Sequence, residues 1–302
     1  MKTEDIMFKG VNSPVVTIMK DDGSIDYANM ERHINHLVEA GLDGLLFLGS
    51  LGEFYALSDA EKRALIDFSV RTVAGRTQVV IGVGHTEKAE TVRLADYAAR
   101  AGADALNIVS PYYFGLPETE AVGYFERMAK AVSLPIMLYN FPARTGSDLS
   151  PAIVREIAQR CPTVVGIKDT VDNISHTRRI CQEVKPVRSD FSVLSGFDEY
   201  YMVNRIAGGD GVLCGLTNVV PELFVKMHRA YENSDCAAAH HCAERIAGLM
   251  RIYEVTPLFI TGMKAAVCAA GLPISTYTRA PGGALTADED QRIRTILAEC
   301  EG

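Results

Sequence analysis

The sequence contains no apolar run of the roughly 18 residues that a membrane-spanning helix needs. Its first ten residues, MKTEDIMFKG, carry acidic side chains where a secretory signal peptide has an apolar stretch. No two cysteines have CxxC spacing, and seven is an odd number for a disulfide framework. We therefore expect reduced thiols, no membrane partner and a cytoplasmic location.

Basic residues do not outnumber acidic residues. The 302 residues include 30 Lys and Arg against 38 Asp and Glu, a formal net charge of −8, which argues against a nucleic-acid partner. Hydrophobic residues make up 48% and charged residues 23%, as in ordinary globular proteins, so disordered and fibrous classes are excluded. No stretch of linker-like composition divides the chain.

Eight short apolar runs, rich in Val, Ile and Leu, hardly alternate with polar residues, which is typical of strands buried on both faces. Helical periodicity fills the intervals between them. The runs are PVVTIM from Pro14, GLLFLG from Gly44, VVIGVG from Val79, ALNIVS from Ala105, PIMLYN from Pro135, VVGIKD from Val164, FSVLSG from Phe191 and GVLCGL from Gly211. Eight such units predict a (β/α)8 TIM barrel over residues 1–232.

One junction occurs three times, at Ala40–Gly44, Ala101–Ala105 and Ala207–Gly211. In each copy a helix ends at glycine, and an aspartate then precedes the next strand. The repetition indicates that one βα unit has been used several times. We expect the three aspartates at the N-terminal end of the barrel, with a structural role. An open dinucleotide-binding sheet is disfavoured, because no GxGxxG follows the first strand.

The pattern after about residue 232 is only helical. Helical periodicity covers Ala237–Glu254, Pro257–Ala270 and Ala287–Cys300. We predict that residues 233–302 form a C-terminal helical extension of the barrel.

The active site of a TIM barrel lies at the C-terminal ends of its strands. Lys168 stands there, near the end of the apolar run from Val164. A lysine in this position either extends to water and pairs with an acid, or is held in an apolar barrel mouth. The apolar mouth disfavours the ammonium form and leaves a free amine able to attack a carbonyl carbon. Tyr139 stands at the end of the preceding strand, where a phenol either packs or transfers protons.

Four segments at strand ends together resemble, in order and spacing, the dihydrodipicolinate synthase / N-acetylneuraminate lyase family. The segments are Gly49–Glu53, Ser110–Tyr113, Tyr139–Gly146 and Gly166–Asp169. The resemblance implies a class I lyase that forms a Schiff base on a TIM barrel, and we expect no cofactor. It also implies a homotetramer built from tight dimers.

The resemblance carries catalytic roles to four residues. Lys168 matches the lysine that forms an imine with pyruvate or another 2-oxo acid, and Tyr139 matches the proton-transferring tyrosine. Ser50 matches the first hydroxyl residue of the glycine-rich turn, which relays protons. Tyr113 matches the tyrosine that a neighbouring subunit contributes to this relay.

Substrate-binding roles are implied in the same way. The backbone amides of Ser50 and Leu51 match the site for the pyruvate carboxylate, and the backbone carbonyl of Leu213 matches one that lies near the Schiff base. Arg144 matches the arginine with which dihydrodipicolinate synthases bind the carboxylate of their second substrate.

The substrate remains open between two members of this family. Dihydrodipicolinate synthases usually have two threonines where this chain has Ser50 and Leu51. The motifs FLGSxGEF, YNFPAxTG and GIKDTxD instead resemble those of 2-keto-3-deoxygluconate aldolases. We predict reversible aldol cleavage of a 2-keto-3-deoxy sugar acid to pyruvate and an aldehyde. Arg144 favours the alternative, condensation of pyruvate with aspartate semialdehyde by a dihydrodipicolinate synthase. An alternative of another class is a non-catalytic homologue that binds a 2-oxo acid.

Histidines are the remaining candidates for metal chemistry. His33 and His36 share a helix face, and His240 and His241 lie in the C-terminal region. We expect both pairs on solvated helix surfaces and predict no metal site.

Overall fold

The computed structural model describes residues 7–300, and its centre is a closed barrel of eight parallel strands in chain order. β8 pairs with β1 and so closes the barrel. The strands are β1 Gly10–Pro14, β2 Gly44–Phe47, β3 Gln78–Gly82, β4 Ala105–Val109, β5 Ile136–Asn140, β6 Val164–Asp169, β7 Ser192–Ser195 and β8 Gly211–Leu213. The predicted (β/α)8 barrel is confirmed.

Helices connect the strands and continue after the last one. The helices between the strands are α1 Tyr27–Ala40, α2 Asp59–Val73, α3 Lys88–Ala101, α4 Glu118–Ala129, α5 Pro142–Thr145, α6 Pro151–Arg160, α7 Ile174–Val184 and α8 Tyr201–Ile206, and those after β8 are α9 Pro221–Glu232, α10 Cys236–Leu249, α11 Phe259–Ala269 and α12 Ala287–Glu299. Within residues 7–300, no helix combines the length and the apolar character needed to cross a membrane.

The predicted position of the first strand is wrong. The strand covers Gly10–Pro14 and does not start at Pro14. Its polar side chains are buried, and Asn12 donates from Nδ2 to the backbone carbonyl of Val212 on the neighbouring strand. The apolar segment Val15–Met19 is also buried, but it forms the loop after the strand. Because hydrogen bonds satisfy the polar groups inside the barrel, hydropathy alone placed the strand too late.

The repeated aspartates bind the backbone of the preceding strand. Each carboxylate accepts a hydrogen bond from a backbone N–H group of the strand that comes before it in the chain. These bonds run from Val11 to Asp43 (2.8 Å), from Val79 to Asp104 (2.7 Å) and from Val193 to Asp210 (2.7 Å). The junction therefore ties neighbouring strands together at the N-terminal end of the barrel, and its expected structural role is confirmed.

The C-terminal region packs into the same core as the barrel. Its first predicted helix divides into α10 and a 3-10 turn at Met250–Glu254. Ile252 and Met263 belong to one hydrophobic cluster with Phe47 of β2. The boundary between residues 232 and 233 stays a prediction.

A buried ion pair attaches this region to the turn after β2. Lys264 of α11 and Glu53 are both fully buried, and Nζ lies 2.5 Å from Oε1. Burial lowers the pKa of Lys264, although the Glu53 carboxylate opposes this effect. Nζ also donates to the carbonyl of Tyr277, and the backbone N–H of Arg279 donates to the second oxygen of Glu53. Residues of the C-terminal region therefore hold in place the turn after β2, which also carries Ser50.

Candidate active site

A cavity of about 380 Å³ opens at the C-terminal ends of the strands. Loops after several strands contribute to its wall, as the barrel architecture requires. Among the lining residues are Ser50 and Leu51 after β2, Tyr139 on β5, Arg144 on α5, Lys168 on β6, Asp198 after β7, Gly215 after β8 and Tyr253 from the C-terminal region. Five of the residues predicted from the sequence therefore meet in one cavity.

Lys168 and Tyr139 lie side by side. They are direct register partners on the paired strands β6 and β5. Nζ of Lys168 lies 4.4 Å from the centre of the Tyr139 ring, and the two residues are only 6% and 4% exposed. Because side chains at one register level of parallel strands project to the same face, both point into the cavity.

The structural interpretation of Lys168 required an ion pair with an acidic side chain, and Lys168 forms none among residues 7–300. In the part of the chain that the structure describes, the lysine ion pairs involve Lys185 and Lys264. Lys168 instead faces an aromatic ring and the cavity. This environment fits a reactive amine better than a structural cation.

The glycine-rich turn brings a hydroxyl to the tyrosine. Oγ of Ser50 lies 3.4 Å from the phenol oxygen of Tyr139, a long hydrogen bond in which either group can donate. Glu53, at the end of the turn, has a positive φ of 54°, which a non-glycine residue adopts only at a cost. The buried pair with Lys264 stabilises this conformation.

Arg144 lies at the cavity rim. It belongs to the single-turn helix α5, and its guanidinium lies 5.7 Å from the Phe141 ring centre and 5.6 Å from that of Phe259. It also borders a neighbouring, mostly apolar cavity of about 270 Å³. The aromatic rings orient the guanidinium and leave its N–H groups available to a ligand.

Two predicted site residues lie outside the cavity wall of the single chain. Tyr113 is 89% exposed and stacks edge-on against Phe114, with ring centres 4.9 Å apart. Leu213 ends β8, and its side chain packs inside the barrel against residues such as Leu46. Their predicted roles, a contribution from a neighbouring subunit and a backbone carbonyl, stay predictions.

The cavity also contains polar residues that the sequence interpretation missed. Asp198 is buried, accepting hydrogen bonds from the Leu216 backbone N–H (2.7 Å) and the Tyr253 hydroxyl (2.8 Å). Burial raises the pKa of the Asp198 carboxyl, against these two hydrogen bonds. Burial also raises the pKa of Glu199, the next residue. Both side chains therefore gain proton affinity from their surroundings.

Thr170 completes this polar part of the wall. Its Oγ1 is buried and has no hydrogen-bond partner among residues 7–300, and the same holds for Oε2 of Glu199. A Cβ at Gly196 would lie 1.9 Å from Thr170 Oγ1, so only glycine lets the two loops approach this closely. Thr170 and Glu199 are both among the residues that line the cavity, so a bound molecule meets polar side chains on this side.

A sequence signal existed for some of these residues. Asp198 and Glu199 lie in the loop that starts at the C-terminal end of β7, which is where the rule that pointed to Lys168 places active-site residues. Tyr253 comes from the C-terminal region and has no such signal, because only the folded chain brings it to the cavity.

The expectation for His33 is wrong. Its side chain is fully buried and its Nε2 lies 3.0 Å from Oδ1 of Asn218. Burial lowers the pKa of His33 to about 4, so the ring is neutral at pH 7. Among residues 7–300 there is no group of three or more His, Cys, Asp or Glu side chains that could hold a metal ion.

The sequence matches the model of the dihydrodipicolinate synthetase family over residues 7–300. The chain belongs to this family. It is 36% identical over 296 residues to YagE of Escherichia coli K12, which carries the provisional name 2-dehydro-3-deoxy-D-gluconate aldolase; the match covers 98% of each chain. It is 36% identical over 290 residues to YjhH of the same organism, provisionally named a 2-dehydro-3-deoxy-D-pentonate aldolase, covering 96% of each.

Solved structures agree with this assignment. The crystal structure of YagE in complex with pyruvate superposes with a TM-score of 0.95, covering 98% of this chain and 99% of YagE at 36% identity. A dihydrodipicolinate synthase from Thermotoga maritima gives a TM-score of 0.92 at 29% identity, covering 97% and 99%. The predictions of the family and of a lyase of the aldolase type are confirmed.

Proposed function

We propose that the cavity is the active site of a class I aldolase in which Lys168 forms an imine with the keto carbon of pyruvate or another 2-oxo acid. The observation that carries this proposal is the placement of Lys168 and Tyr139 as buried neighbours in one cavity. Ser50 within reach of the phenol adds a second hydroxyl for proton transfer. Membership of an aldolase-containing family supports the same chemistry.

Imine formation needs both side chains. The neutral amine of Lys168 attacks the keto carbon, C2, and gives a carbinolamine. The Tyr139 phenol then donates a proton to the C2 hydroxyl, which leaves as water, and the C2–N bond becomes an iminium. Ser50 stabilises the phenolate through the hydrogen bond between the two oxygens.

The iminium allows the C3–C4 bond to break. The phenolate removes the proton of the C4 hydroxyl, C4 becomes the carbonyl carbon of an aldehyde, and the bonding electron pair moves to form an enamine. The Tyr139 phenol, which now holds the proton taken from the C4 hydroxyl, protonates C3, and water then hydrolyses the imine, which releases pyruvate and regenerates Lys168. The same steps in reverse form the carbon–carbon bond.

For the substrate we propose a 2-keto-3-deoxy sugar acid. Thr170, Asp198 and Glu199 give one side of the cavity a polar lining. Several sugar hydroxyls suit these groups, because each hydroxyl can both donate and accept a hydrogen bond. The names of YagE and YjhH support the same substrate class.

Arg144 supports a second candidate, condensation of pyruvate with aspartate semialdehyde. Among the described residues its guanidinium contacts aromatic rings at the cavity rim, so its charge is available to a second carboxylate. The T. maritima structure is named a dihydrodipicolinate synthase.

Parallel assays separate the two candidates. We expect pyruvate release from 2-keto-3-deoxygluconate or its pentonate analogue, with at most weak condensation of pyruvate and aspartate semialdehyde. Condensation activity without cleavage of either sugar acid would reverse the assignment.

The remaining roles form part of the same proposal. We propose that the backbone amides of Ser50 and Leu51 bind the pyruvate carboxylate and that the Leu213 carbonyl lies near the imine. We also propose that Tyr113 contributes to the relay of a neighbouring subunit within a homotetramer, which its exposure in the single chain allows. A cytoplasmic location agrees with the seven free cysteines.

A further inference from the structure

Four side chains form a closed ring next to the cavity, on the other face of β5 and β6. Asn140 donates from Nδ2 to Asp148 Oδ1 (2.8 Å) and to Asp169 Oδ1 (3.2 Å). His176 completes the ring: Nδ1 is hydrogen-bonded to Asp169 Oδ2 at 3.0 Å, whereas Nε2 makes an ion-pair contact of 3.4 Å with Asp148 Oδ2 that lacks hydrogen-bond geometry. Thr177 adds a hydrogen bond of 2.7 Å to Asp169. We call these four residues, Asn140, Asp148, Asp169 and His176, the ring.

The ring carries a buried charge balance. Asp169 is fully buried and Asn140 is 1% exposed, whereas Asp148 reaches the surface. Burial lowers the pKa of His176, but the two aspartates outweigh it and raise the pKa to about 10. A doubly protonated imidazole therefore lies between two carboxylates, which fixes its orientation.

The ring is directly connected to the reactive pair. Asn140 follows Tyr139, Asp169 follows Lys168, and the two ring members are themselves register partners. Consecutive side chains of a strand project to opposite faces, so each reactive side chain points into the cavity and the ring member after it points outward. Any displacement of the ring moves the backbone on which Tyr139 and Lys168 stand.

The ring also closes the loop that carries Arg144. Asn140 begins this loop, and its side chain binds both residues at the other end, accepting from the Leu149 backbone N–H (3.0 Å) and donating to Asp148. Residues 141–149 form a short closed segment whose ends are fixed to each other. His176 of α7 then fixes the Asp148 end to β6 through Asp169.

We propose that the ring is a positioning device that holds Arg144 at a fixed place relative to Lys168 and Tyr139. It then sets the affinity for the part of the substrate that extends beyond the keto acid. The effect on catalysis rests on the proposed function; the effect on the loop does not.

Asp148→Ala is the variant that tests the proposal with the least risk to folding. It removes the contacts to Asn140 and His176 from a side chain that is 45% exposed. Asp190→Ala is the matched control, because Asp190 is 43% exposed, pairs with Arg188, and precedes β7 at the end of the barrel away from the cavity.

We expect Asp148→Ala to raise KM for the sugar acid about tenfold, as a displaced positioning contact does, while borohydride trapping of pyruvate on Lys168 is retained. Asp190→Ala leaves both unchanged. Asp148→Asn keeps the acceptor for Asn140 and restores most of the affinity. A purely structural role of Asp148 would lower the melting temperature and leave KM unaltered.

A double-mutant cycle tests whether the effect passes through Arg144. If it does, Asp148→Ala adds little to the rise in KM already caused by Arg144→Met. Additive effects of the two substitutions would overturn the proposal.

Hydrogen exchange of the peptide containing residues 141–149 gives a readout that needs no substrate. We expect faster exchange in Asp148→Ala than in the wild type and in Asp190→Ala, since the loop closure is weakened. An unchanged rate of hydrogen exchange in Asp148→Ala would overturn the proposed role of the ring. If the wild-type protein traps no pyruvate, that result contradicts the proposed function alone. The hydrogen-exchange comparison then still tests whether the ring holds the loop in place.

Discussion

Two buried lysines of this chain have opposite environments, and the difference indicates which one is reactive. Lys264 is bound by the carboxylate of Glu53 and the carbonyl of Tyr277. Lys168 faces the Tyr139 ring and a cavity. A lysine with satisfied hydrogen bonds stabilises the fold, whereas one that faces an open cavity is available to a ligand.

Tyr139→Phe tests the proton transfer at the scale of one atom. The substitution keeps the ring beside Lys168 and removes the hydroxyl that lies near Ser50. We expect kcat for aldol cleavage to fall by about 10²- to 10⁴-fold, the contribution of a positioned acid–base group, with a small change in KM. Steady-state kinetics measure this effect.

Tyr97→Phe is its control, because Tyr97 is also hydrogen-bonded, to Asp67, but lies on α3 in the outer layer. An equal loss of kcat in both variants, or full activity of Tyr139→Phe, contradicts the assigned role.

Sequence reasoning found the reactive pair because both residues interrupt apolar strands at a predictable height. The barrel rule placed Lys168 and Tyr139 at the active-site end, and the family resemblance was needed to choose the catalytic over the structural interpretation. The polar wall of the cavity could not be predicted in this way, because the contact of Thr170 with Gly196 exists only in the folded chain. His33 was misjudged because helical spacing identifies a shared face but does not tell which neighbour covers it.

At the scale of secondary-structure elements, the turn after β2 depends on α11. The fully buried pair of Glu53 and Lys264 connects residues 211 positions apart. Breaking a buried ion pair from one side leaves an uncompensated charge. The C-terminal region therefore maintains the turn that carries Ser50 and Leu51.

Lys264→Met is expected to lower the free energy of unfolding by about 3–5 kcal/mol, the usual consequence of removing one partner of a buried pair. Denaturant titration measures it. Arg294→Ala, which breaks the exposed pair with Asp290 on α12, is expected to change it by about 0–1 kcal/mol.

The double variant Glu53→Gln/Lys264→Met removes both charges and should be more stable than Lys264→Met alone. A single variant as stable as the wild type would show that the pair does not hold the turn.

Most elements were predictable because hydrophobic runs coincide with strands when both faces are buried. The run from Val164 matches β6 residue for residue. β1 did not follow this rule, since Asn12 and Ser13 are buried in the barrel with hydrogen-bonded polar groups.

At the scale of the whole molecule, the two ends of the barrel have separate tasks. The N-terminal end carries the aspartates that bind backbone N–H groups, and the C-terminal end carries the cavity. The ring of Asn140, Asp148, Asp169 and His176 adds a pH-dependent contribution to the stability of the C-terminal end.

The raised pKa of His176 predicts how global stability depends on pH. Its pKa is about 10 in the folded protein against an ordinary 6.5, so the folded state binds the extra proton between these values. The stabilisation is complete below pH 6.5 and is lost as pH rises towards 10. The slope attributable to this residue is at most about 1.4 kcal/mol per pH unit.

Denaturant unfolding of the wild type and His176→Asn at pH 6, 8 and about 9.5 measures this contribution, because these pH values span the range between the unfolded and folded pKa of His176. The difference in unfolding free energy between the two proteins should shrink as pH rises. A difference that stays constant across this range contradicts the assignment.

The central claim is that Lys168 bonds covalently to a 2-oxo acid, and borohydride reduction in the presence of pyruvate tests it most directly. Mass spectrometry of the digested protein should find one reduced pyruvate on the peptide that contains Lys168 and none on the peptide that contains Lys264. The variant Lys168→Met should remain unmodified. An unmodified wild-type protein, or an adduct that persists in Lys168→Met, would contradict the claim and favour a homologue that binds 2-oxo acids without catalysis.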